Sequence, residues 1–330
     1  MSIPYVRHFF ASQFLTLPEL TSLSFEGQTV VVTGANTGLG FECARHFHTL
    51  GADLVILAVR DVRKGESARD KLLVPGRGAI EVWQLDLSDT ASVIAFAEKA
   101  ANHPRIDVVL ENAGMQQHRW QVSKEGFEMT VAVNFYGTIL LALLLIPILR
   151  RSGQKYKTNP RLTVVTSEVH HFTSWGQKAE PLTDLNDESK FVASDRYNVS
   201  KLLEVLYIRE LAQHVDTNNG GPILNLANPG LCVSDFDRNL SRATQMIIGF
   251  FRSLLARTTE AGARTLVWPT SCSIEGHGQY SLDCTFNEKA LSRFVRSDAG
   301  IQLRKRVFAE ANAQLELLKP NALKLALSSE

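Results

Sequence analysis

Apolar and polar positions along the chain form two alternating patterns from about residue 27 onward. Short runs rich in β-branched residues are typical of buried strands, and the longer segments between them carry apolar residues at helical spacing. The strand-like runs are TVVVTG (29–34), DLVILAV (53–59), AIEVWQL (79–85), DVVLENAG (107–114), RLTVVTS (161–167), PILNLANPG (222–230) and GQYSLDC (278–284). This rhythm predicts an α/β fold, a single doubly wound domain whose mostly parallel seven-stranded sheet has helices on both faces.

The strand pattern continues through the chain without a break in composition, which predicts one domain over residues 25–330 and an N-terminal extension over residues 1–24. Two stretches, at about 168–195 and 235–258, lack a strand pattern and are long for simple connections. We expect them to be substrate loops.

Composition narrows the classes of partner. The formal net charge is +1 and no long Lys/Arg block is present, so nucleic acid is not expected as a partner. The four cysteines form no CxxC pair and no cluster with histidine at zinc spacing, which predicts neither a metal site nor a disulfide framework. A reducing, cytoplasmic setting is the simplest interpretation.

Membrane association is not expected from the hydropathy pattern. The most apolar run, Ile139–Leu149, is shorter than the roughly 20 residues that cross a bilayer, and a buried helix explains it better. The first 20 residues contain aromatic side chains but no unbroken apolar stretch of the secretory type. A membrane-surface role for this segment is the less favoured alternative.

A glycine-rich turn, TGANTGLG, follows the first strand and precedes a helical segment. Gly34, Gly38 and Gly40 would let the backbone approach a pyrophosphate, whose charge the helix N-terminus can meet. The spacing is G-x-x-x-G-x-G and differs from the general G-x-G-x-x-G pattern. Taken alone, the pattern is also compatible with a tight loop.

Tyr197 and Lys201 are four residues apart in a helical segment and therefore lie on one helix face. A tyrosine titrates near pH 10 in water, and an adjacent ammonium lowers the pKa of the phenol into a range useful for proton transfer. In isolation, a solvated surface pair would give the same spacing.

Together with NAG (112–114), Ser167 after the fifth strand and Tyr197-x-x-x-Lys201, the glycine turn resembles the short-chain dehydrogenase/reductase (SDR) family, from about residue 25 to 285. TGANTGLG, VRD and GHGQYSLDC are most similar to its retinol-dehydrogenase-like and fungal secondary-metabolite branch. The resemblance implies a Rossmann fold.

The resemblance also implies a role for each catalytic residue. Tyr197 would be the general acid in reduction, and Ser167 would hydrogen-bond the substrate oxygen. Lys201 would lower the pKa of Tyr197 and hold the nicotinamide ribose, while Asn134 would orient Lys201 through a water. An alternative for Asn134 is a polar side chain bonded to a helix kink near Gly137.

The cofactor contacts implied by the resemblance are Gly34, Thr37, Gly38, Leu39, Gly40, Arg60, Lys64, Asp86, Asn112, Gly114, Tyr197, Lys201, Pro229, Val233 and Ser234. Val59 stands where an NAD-type acid would lie, and Arg60 and Lys64 make the segment cationic, which favours NADP(H) over NAD(H). A shift of one residue would let Asp61 face the ribose instead. By the resemblance Asp86 would lie near the adenine ring; its alternative role is a helix N-cap, which Ser88 or Asp89 would suit equally.

Two positions depart from the family pattern. Ser234 replaces a threonine but keeps the hydroxyl, and Glu111 stands where many members have asparagine.

The function expected from these features is NADP(H)-dependent interconversion of a carbonyl and an alcohol on a bulky, apolar or aromatic small molecule, in the setting of secondary metabolism. Non-redox work as an isomerase, dehydratase or cofactor-sensing regulator is the alternative. Aromatic and apolar residues in the two loops could line the substrate pocket or belong to the core: Phe172, Trp175, Phe236, Met246, Phe250 and Phe251. The apolar run after Asn134 permits a homo-oligomer without requiring one.

Overall fold

The computed structural model describes residues 9–178, 180–233 and 255–328. These residues form one eight-stranded sheet in the order β3-β2-β1-β4-β5-β6-β7-β8. Its strands are β1 (Thr29–Thr33), β2 (Leu54–Val59), β3 (Ala79–Gln84), β4 (Val108–Glu111), β5 (Arg161–Val165), β6 (Ile223–Asn228), β7 (Tyr280–Leu282) and β8 (Thr285–Phe286). The strand order reverses between β1 and β4, which leaves a crevice at their carboxyl ends.

The mostly parallel α/β sheet expected from the sequence is confirmed, with one correction to the strand number. The pairings from β3 across to β7 are parallel, and the seven predicted runs supply these strands. The eighth strand, β8, runs antiparallel to β7. It is two residues long and follows a turn in which Asp283 and Cys284 both have φ of 56°, so no alternating pattern marks it in the sequence.

The helices are α1 (Gly38–Thr49), α2 (Val62–Leu72), α3 (Thr90–Ala101), α4 (Met129–Tyr156), α5 (Ala193–Leu211), α6 (Thr259–Val267), α7 (Asp298–Leu318) and α8 (Ala322–Leu327). Residues 9–13 are also helical. Much of the expected substrate loop at 168–195 is folded into 3-10 turns at Glu168–His171, Trp175–Lys178, Leu182–Asn186 and Glu188–Lys190. Trp175 is buried in these turns and belongs to the core, whereas Phe172 is exposed.

Alternation along the strands divides the core between the two faces of the sheet. Val31 and Ile56 pack with α3, α4 and α5 in one cluster. Val30 and Val55 point the other way and pack with α1, α2 and α6. Because both faces are covered by helices, the strands are apolar on both sides.

Helix α4 contains the apolar run noted in the sequence and passes through the core. By length and mean hydropathy (2.2) it could cross a membrane, but 83% of its most apolar window is buried inside the chain. Burial within one chain thus accounts for the pattern. The helix includes a π-helical turn at Ala132–Gly137, where a Cβ added to Gly137 would lie 2.1 Å from the Leu87 carbonyl oxygen. The missing side chain lets the helix lie against the segment after β3.

Candidate active site

The glycine turn between β1 and α1 is built without room for side chains. Gly34 and Gly38 have φ of +66° and +58°, a region that favours glycine. A Cβ on Gly40 would lie 2.4 Å from the Gly34 carbonyl oxygen, whereas one on Gly38 would meet nothing within 4 Å. The turn is therefore closed on the protein side and open on the other.

The start of α1 has no side-chain cap. Thr37 is the N-cap residue, and its hydroxyl makes no capping hydrogen bond to the first turn, in which Leu39 lies. Amide N–H groups in a first helical turn have no partner within the helix and suit an anion. The Asn112 side-chain amide donates to the Thr33 carbonyl at 2.9 Å and ties the end of β4 to this turn. We call the turn with Gly34, Gly38 and Gly40, together with the first turn of α1, the glycine cradle. It fits the pyrophosphate of a dinucleotide.

After β2, the Asp61 side chain is hydrogen-bonded to the backbone, whereas the side chains of Arg60 and Lys64 are exposed. Asp61 caps α2, because its Oδ1 accepts hydrogen bonds from the amides of Arg63 (3.1 Å) and Lys64 (3.3 Å). The side chains of Arg60 and Lys64 are exposed. The carboxylate that could have faced a ribose is thus used at a helix end, and the cations remain available to a ligand.

Asp86 forms a small turn of its own after β3. Its Oδ1 accepts from the amide of Ser88 at 2.9 Å and from the Ser88 hydroxyl at 2.6 Å. The cap of α3 is Asp89, which accepts from the amide of Ala91 at 3.0 Å. The alternative interpretation of Asp86 as the helix N-cap is therefore wrong.

Lys201 lies at the centre of the candidate site and is 3% exposed. Its Nζ donates to the carbonyl oxygen of Val165 at 2.9 Å, where β5 ends, and to Oε1 of Glu204 at 2.8 Å. The same nitrogen lies 5.7 Å from the centroid of the Tyr197 ring. Spacing along α5 and the end of β5 together fix the ammonium near the phenol.

Asn134 connects three elements around this lysine. Its Nδ2 donates to the Met115 carbonyl (2.9 Å) and to the Ser200 hydroxyl (3.0 Å), and its Oδ1 accepts from the Met115 amide (2.8 Å). A Cβ added to Gly114 would lie 3.4 Å from Asn134 Oδ1 and 3.8 Å from Lys201 Nζ. These amide bonds reach other elements, so the alternative of a local bond at the π-helical turn does not describe Asn134.

Ser167 opens the first 3-10 turn after β5 and is partly buried. Its Oγ accepts from the Val169 amide at 3.4 Å, and its carbonyl oxygen accepts from His170 Nδ1 at 2.7 Å. His170 Nε2 accepts from the Ser292 amide at 3.2 Å, and burial lowers the pKa of His170 to about 3. This neutral histidine therefore holds the turn that carries Ser167.

Three buried ionisable groups determine the electrostatics. Burial opposes the charge of Lys201, but attraction to Glu204 and Tyr197 outweighs it and raises the pKa of the ammonium. Burial raises the pKa of Glu204 to about 7 against the opposing effect of Lys201. Burial also raises the pKa of Glu111 well above its usual value, and Glu204 adds to the shift.

The segment after β6 is anchored by a buried arginine. The Pro229 carbonyl accepts from Arg257 Nη1 at 3.4 Å, and the Val233 amide donates to the Arg257 carbonyl at 3.0 Å. Arg257 Nη2 also donates to Oδ1 of Asp283 (2.5 Å) and to the hydroxyl of Ser12 (3.0 Å). Ser234, predicted to contact the carboxamide, lies outside the described residues, as do Phe236, Met246, Phe250 and Phe251.

The structure thus brings Tyr197, Lys201, Asn134 and Gly114 together, with Ser167 one residue beyond Thr166, whose hydroxyl donates to the Lys201 carbonyl. Sequence reasoning missed Glu204. Its position three residues after Lys201 in a helix could have indicated the contact.

A glycine cradle at the sheet's reversal point and a buried lysine beside a tyrosine define a doubly wound, dinucleotide-binding enzyme. Comparison with known proteins narrows this class. The family model described as short chain dehydrogenase matches residues 28–158. A short chain dehydrogenase/reductase dmxR8 of Cryptosporiopsis sp. (strain 8999) is 37% identical over 321 residues, which cover 94% of this chain and 97% of that protein. A short chain dehydrogenase atnD of Emericella nidulans is 40% identical over 288 residues, which cover 84% and 91%.

Solved structures agree with the fold. An uncharacterized protein of Mycobacterium paratuberculosis superposes with a TM-score of 0.65 at 27% identity, covering 89% of this chain and 95% of that one. A 3-oxoacyl (acyl-carrier-protein) reductase of Agrobacterium tumefaciens C58, with NADP bound, has a TM-score of 0.59 at 19% identity, with coverage of 79% and 95%. The chain belongs to the short-chain dehydrogenase/reductase family, as predicted. It is therefore an oxidoreductase that acts on small molecules with a nicotinamide cofactor.

Proposed function

We propose that the protein interconverts a carbonyl and an alcohol on a bulky, apolar or aromatic small molecule and uses NADP(H). The observation that carries the proposal is the buried Lys201 ammonium, 5.7 Å from the ring of Tyr197. Attraction between an ammonium and a phenolate is mutual, so a lysine that is stabilised by Tyr197 also favours the deprotonated form of that tyrosine.

Each residue then has one task. A bound nicotinamide supplies the hydride chemistry. In reduction, the Tyr197 hydroxyl gives its proton to the substrate oxygen, and Ser167 donates a hydrogen bond to the same oxygen as negative charge develops on it. Lys201 binds the ribose hydroxyls, and Asn134 keeps the segment containing Gly114 against the lysine.

The cofactor preference rests on the cations after β2. Arg60 and Lys64 are exposed, while Asp61 is engaged by two amides at the start of α2. A guanidinium suits a 2′-phosphate, because it binds phosphate oxygens in bidentate geometry. The remaining contacts follow the cradle and the segment after β6: Gly34, Thr37, Gly38, Leu39, Gly40, Asp86, Asn112, Gly114, Pro229, Val233 and Ser234.

The substrate is proposed to lie against residues 168–195 and 235–258. Phe172 supports an apolar or aromatic substrate, since it is 45% exposed only five residues after Ser167. We propose that residues 1–24 form an extension of a domain over residues 25–330. The four cysteines carry no disulfide, which suits the cytoplasm. The fungal relatives favour a role in secondary metabolism.

The test is a titration of the purified protein with NADPH and NADH, followed by nicotinamide fluorescence. A panel of aromatic and aliphatic ketones and aldehydes is then added to the NADPH complex. We expect tighter binding of NADPH and its oxidation by at least one bulky panel member. Tight binding without oxidation, for any member of a broad panel, would favour isomerase, dehydratase or regulatory work at the same site.

A further inference from the structure

Two buried carboxyl groups interact with each other, and one of them binds the candidate catalytic lysine. Glu111 is the last residue of β4, and Glu204 lies on α5 three residues beyond Lys201. They are 2% and 1% exposed. Burial of an ionised carboxylate is costly unless a partner compensates it, so a pair of buried carboxyl groups of which one binds a cation requires an explanation.

The backbone directs both side chains to one side of the sheet. Val109 packs in the cluster formed with α4 and α5, and residues two apart on a strand share a face, so Glu111 faces the same helices. Glu204 reaches Lys201, whose second hydrogen bond goes to the Val165 carbonyl at the end of the neighbouring strand β5.

The two carboxyl groups are unequally satisfied. Oε1 of Glu204 accepts a hydrogen bond from Lys201 Nζ at 2.8 Å. The second oxygen of Glu204 and both oxygens of Glu111 have no hydrogen-bond partner within the described part of the chain. The single ammonium bound to Glu204 can balance one negative charge in this pair. The other carboxyl must then be neutral.

We propose that Glu111 and Glu204 carry one negative charge between them, located on Glu204, and that Glu204 is a positioning residue for Lys201. The carboxylate holds the ammonium against the Val165 carbonyl. It also reduces the positive potential that Lys201 exerts on Tyr197. This inference rests on the proposed role of Tyr197 as the proton donor.

Electrostatics assigns the charge within the pair. The titratable groups that interact with Glu204 are Lys201 on its own helix and Glu111 on β4, and Lys201 in turn interacts with Tyr197. Burial raises the pKa of Glu111 well above its usual value, which makes it the neutral member. Glu204 has a pKa of about 7 and is kept ionised above that pH by Lys201.

The consequence concerns the phenol. When Glu204 is ionised, its charge offsets part of the ammonium field, and the phenolate of Tyr197 gains less stabilisation. When Glu204 is protonated, or replaced by glutamine, no carboxylate offsets the charge of Lys201, and the ammonium stabilises the Tyr197 phenolate more strongly. Glutamine keeps an oxygen that can accept from Lys201 Nζ, so Glu204→Gln removes the charge while the hydrogen bond can persist.

The test follows the Tyr197 phenol by NMR of cofactor-free protein labelled with carbon-13 at the tyrosine ring. The Tyr197 signal is identified by its loss in Tyr197→Phe. Burial raises the pKa of Tyr136 and Tyr207, which separates their titration from that of Tyr197. The pKa of Tyr197 should fall by about one unit in Glu204→Gln, because the carboxylate that offsets the ammonium beside the phenol is removed.

Glu111→Gln is the matched control, because it replaces a carboxyl that is already neutral, and it should leave the Tyr197 titration unchanged. An unchanged or raised pKa in Glu204→Gln would overturn the proposal. If the pKa of Tyr197 shifted as much in Glu111→Gln as in Glu204→Gln, the negative charge would not be confined to Glu204, and the proposal would also be overturned.

A measurement on the unaltered chain keeps the proposal testable if a variant fails to fold. The Tyr197 signal should show an inflection near pH 7, where Glu204 titrates. A signal without that inflection would contradict the proposal. None of these experiments depends on turnover, so failure of the panel assay for carbonyl reduction and failure of this inference give different results.

Discussion

Replacement of Lys201 by methionine tests the buried ion pair through folding stability. Lys201→Met removes the ammonium and keeps an apolar stem of similar length. It also removes the hydrogen bonds to Val165 and Glu204. Glu204 then lies 1% exposed without the ammonium that binds it in the unaltered chain. Such a carboxyl avoids ionisation, so its pKa rises above the value of about 7 that it has in the unaltered chain.

The magnitude follows from the difference between folded and unfolded carboxyl groups. In the unaltered chain the pKa of Glu204 is raised from 4.5 to about 7. The free energy of unfolding therefore falls as the pH rises from 4.5 to about 7, and this group causes no further change above pH 7. In Lys201→Met the folded carboxyl stays protonated above pH 7 while the unfolded one is ionised. Stability then falls by ~1.4 kcal/mol per pH unit. The deficit of the variant should grow by about 3 kcal/mol from pH 7 to pH 9.

The assay is urea unfolding of both proteins at several pH values between 6 and 9. Near pH 6 the free energy of unfolding of Lys201→Met should be about 1–3 kcal/mol lower than that of the unaltered chain, because two hydrogen bonds are lost. This difference is the deficit. The double variant Lys201→Met/Glu204→Gln is the control and should show no growth of the deficit with pH. A deficit that is constant across the range, or growth that persists in the double variant, would refute the assignment of a buried, lysine-dependent charge to Glu204.

Three further predictions concern the proposed catalytic and cofactor-binding residues. Tyr197→Phe should reduce carbonyl reduction by about 100-fold or more with NADPH affinity retained, and undiminished turnover would exclude the acid role. Arg60→Ala should weaken NADPH binding about 10- to 100-fold and NADH binding little, whereas Arg69→Ala on the same segment should change neither. Equal losses for both cofactors would contradict a contact between Arg60 and the 2′-phosphate. Gly40→Ala should lower both cofactor affinity and the thermal midpoint, because its Cβ would lie 2.4 Å from the Gly34 carbonyl oxygen; calorimetry showing a normal midpoint would contradict the close approach.

Periodicity predicted the strands that are long enough to carry it. The runs at 29–34 and 53–59 became β1 and β2 with few residues in error, because each is apolar on both faces. The two-residue β8 has no period to detect, and its position depends on the turn at Asp283 and Cys284. The 3-10 turns within 168–195 were also not predictable, since tertiary contacts such as the burial of Trp175 determine them.

The candidate site was predictable where neighbours in sequence are neighbours in space. Tyr197 and Lys201 share a helix, so their spacing gave their proximity. The contact of Lys201 with the end of β5 depends on how α5 packs on the sheet, and no local pattern contains it. Glu111 was recognised only as a departure from the family pattern, because its relation to Glu204 exists only after β4 and α5 come together.

Arg257 has a consequence for how the protein is made. Its guanidinium bonds to Ser12, 245 residues earlier in the chain, and to the Pro229 carbonyl. Contacts between such distant residues require a long loop to close, and an N-terminal segment leaves the ribosome long before its partner is synthesised. The segment after β6 can therefore reach its final position only after Arg257 has been synthesised. Because α1 also packs against α6, a nascent chain would complete its cofactor site late in synthesis.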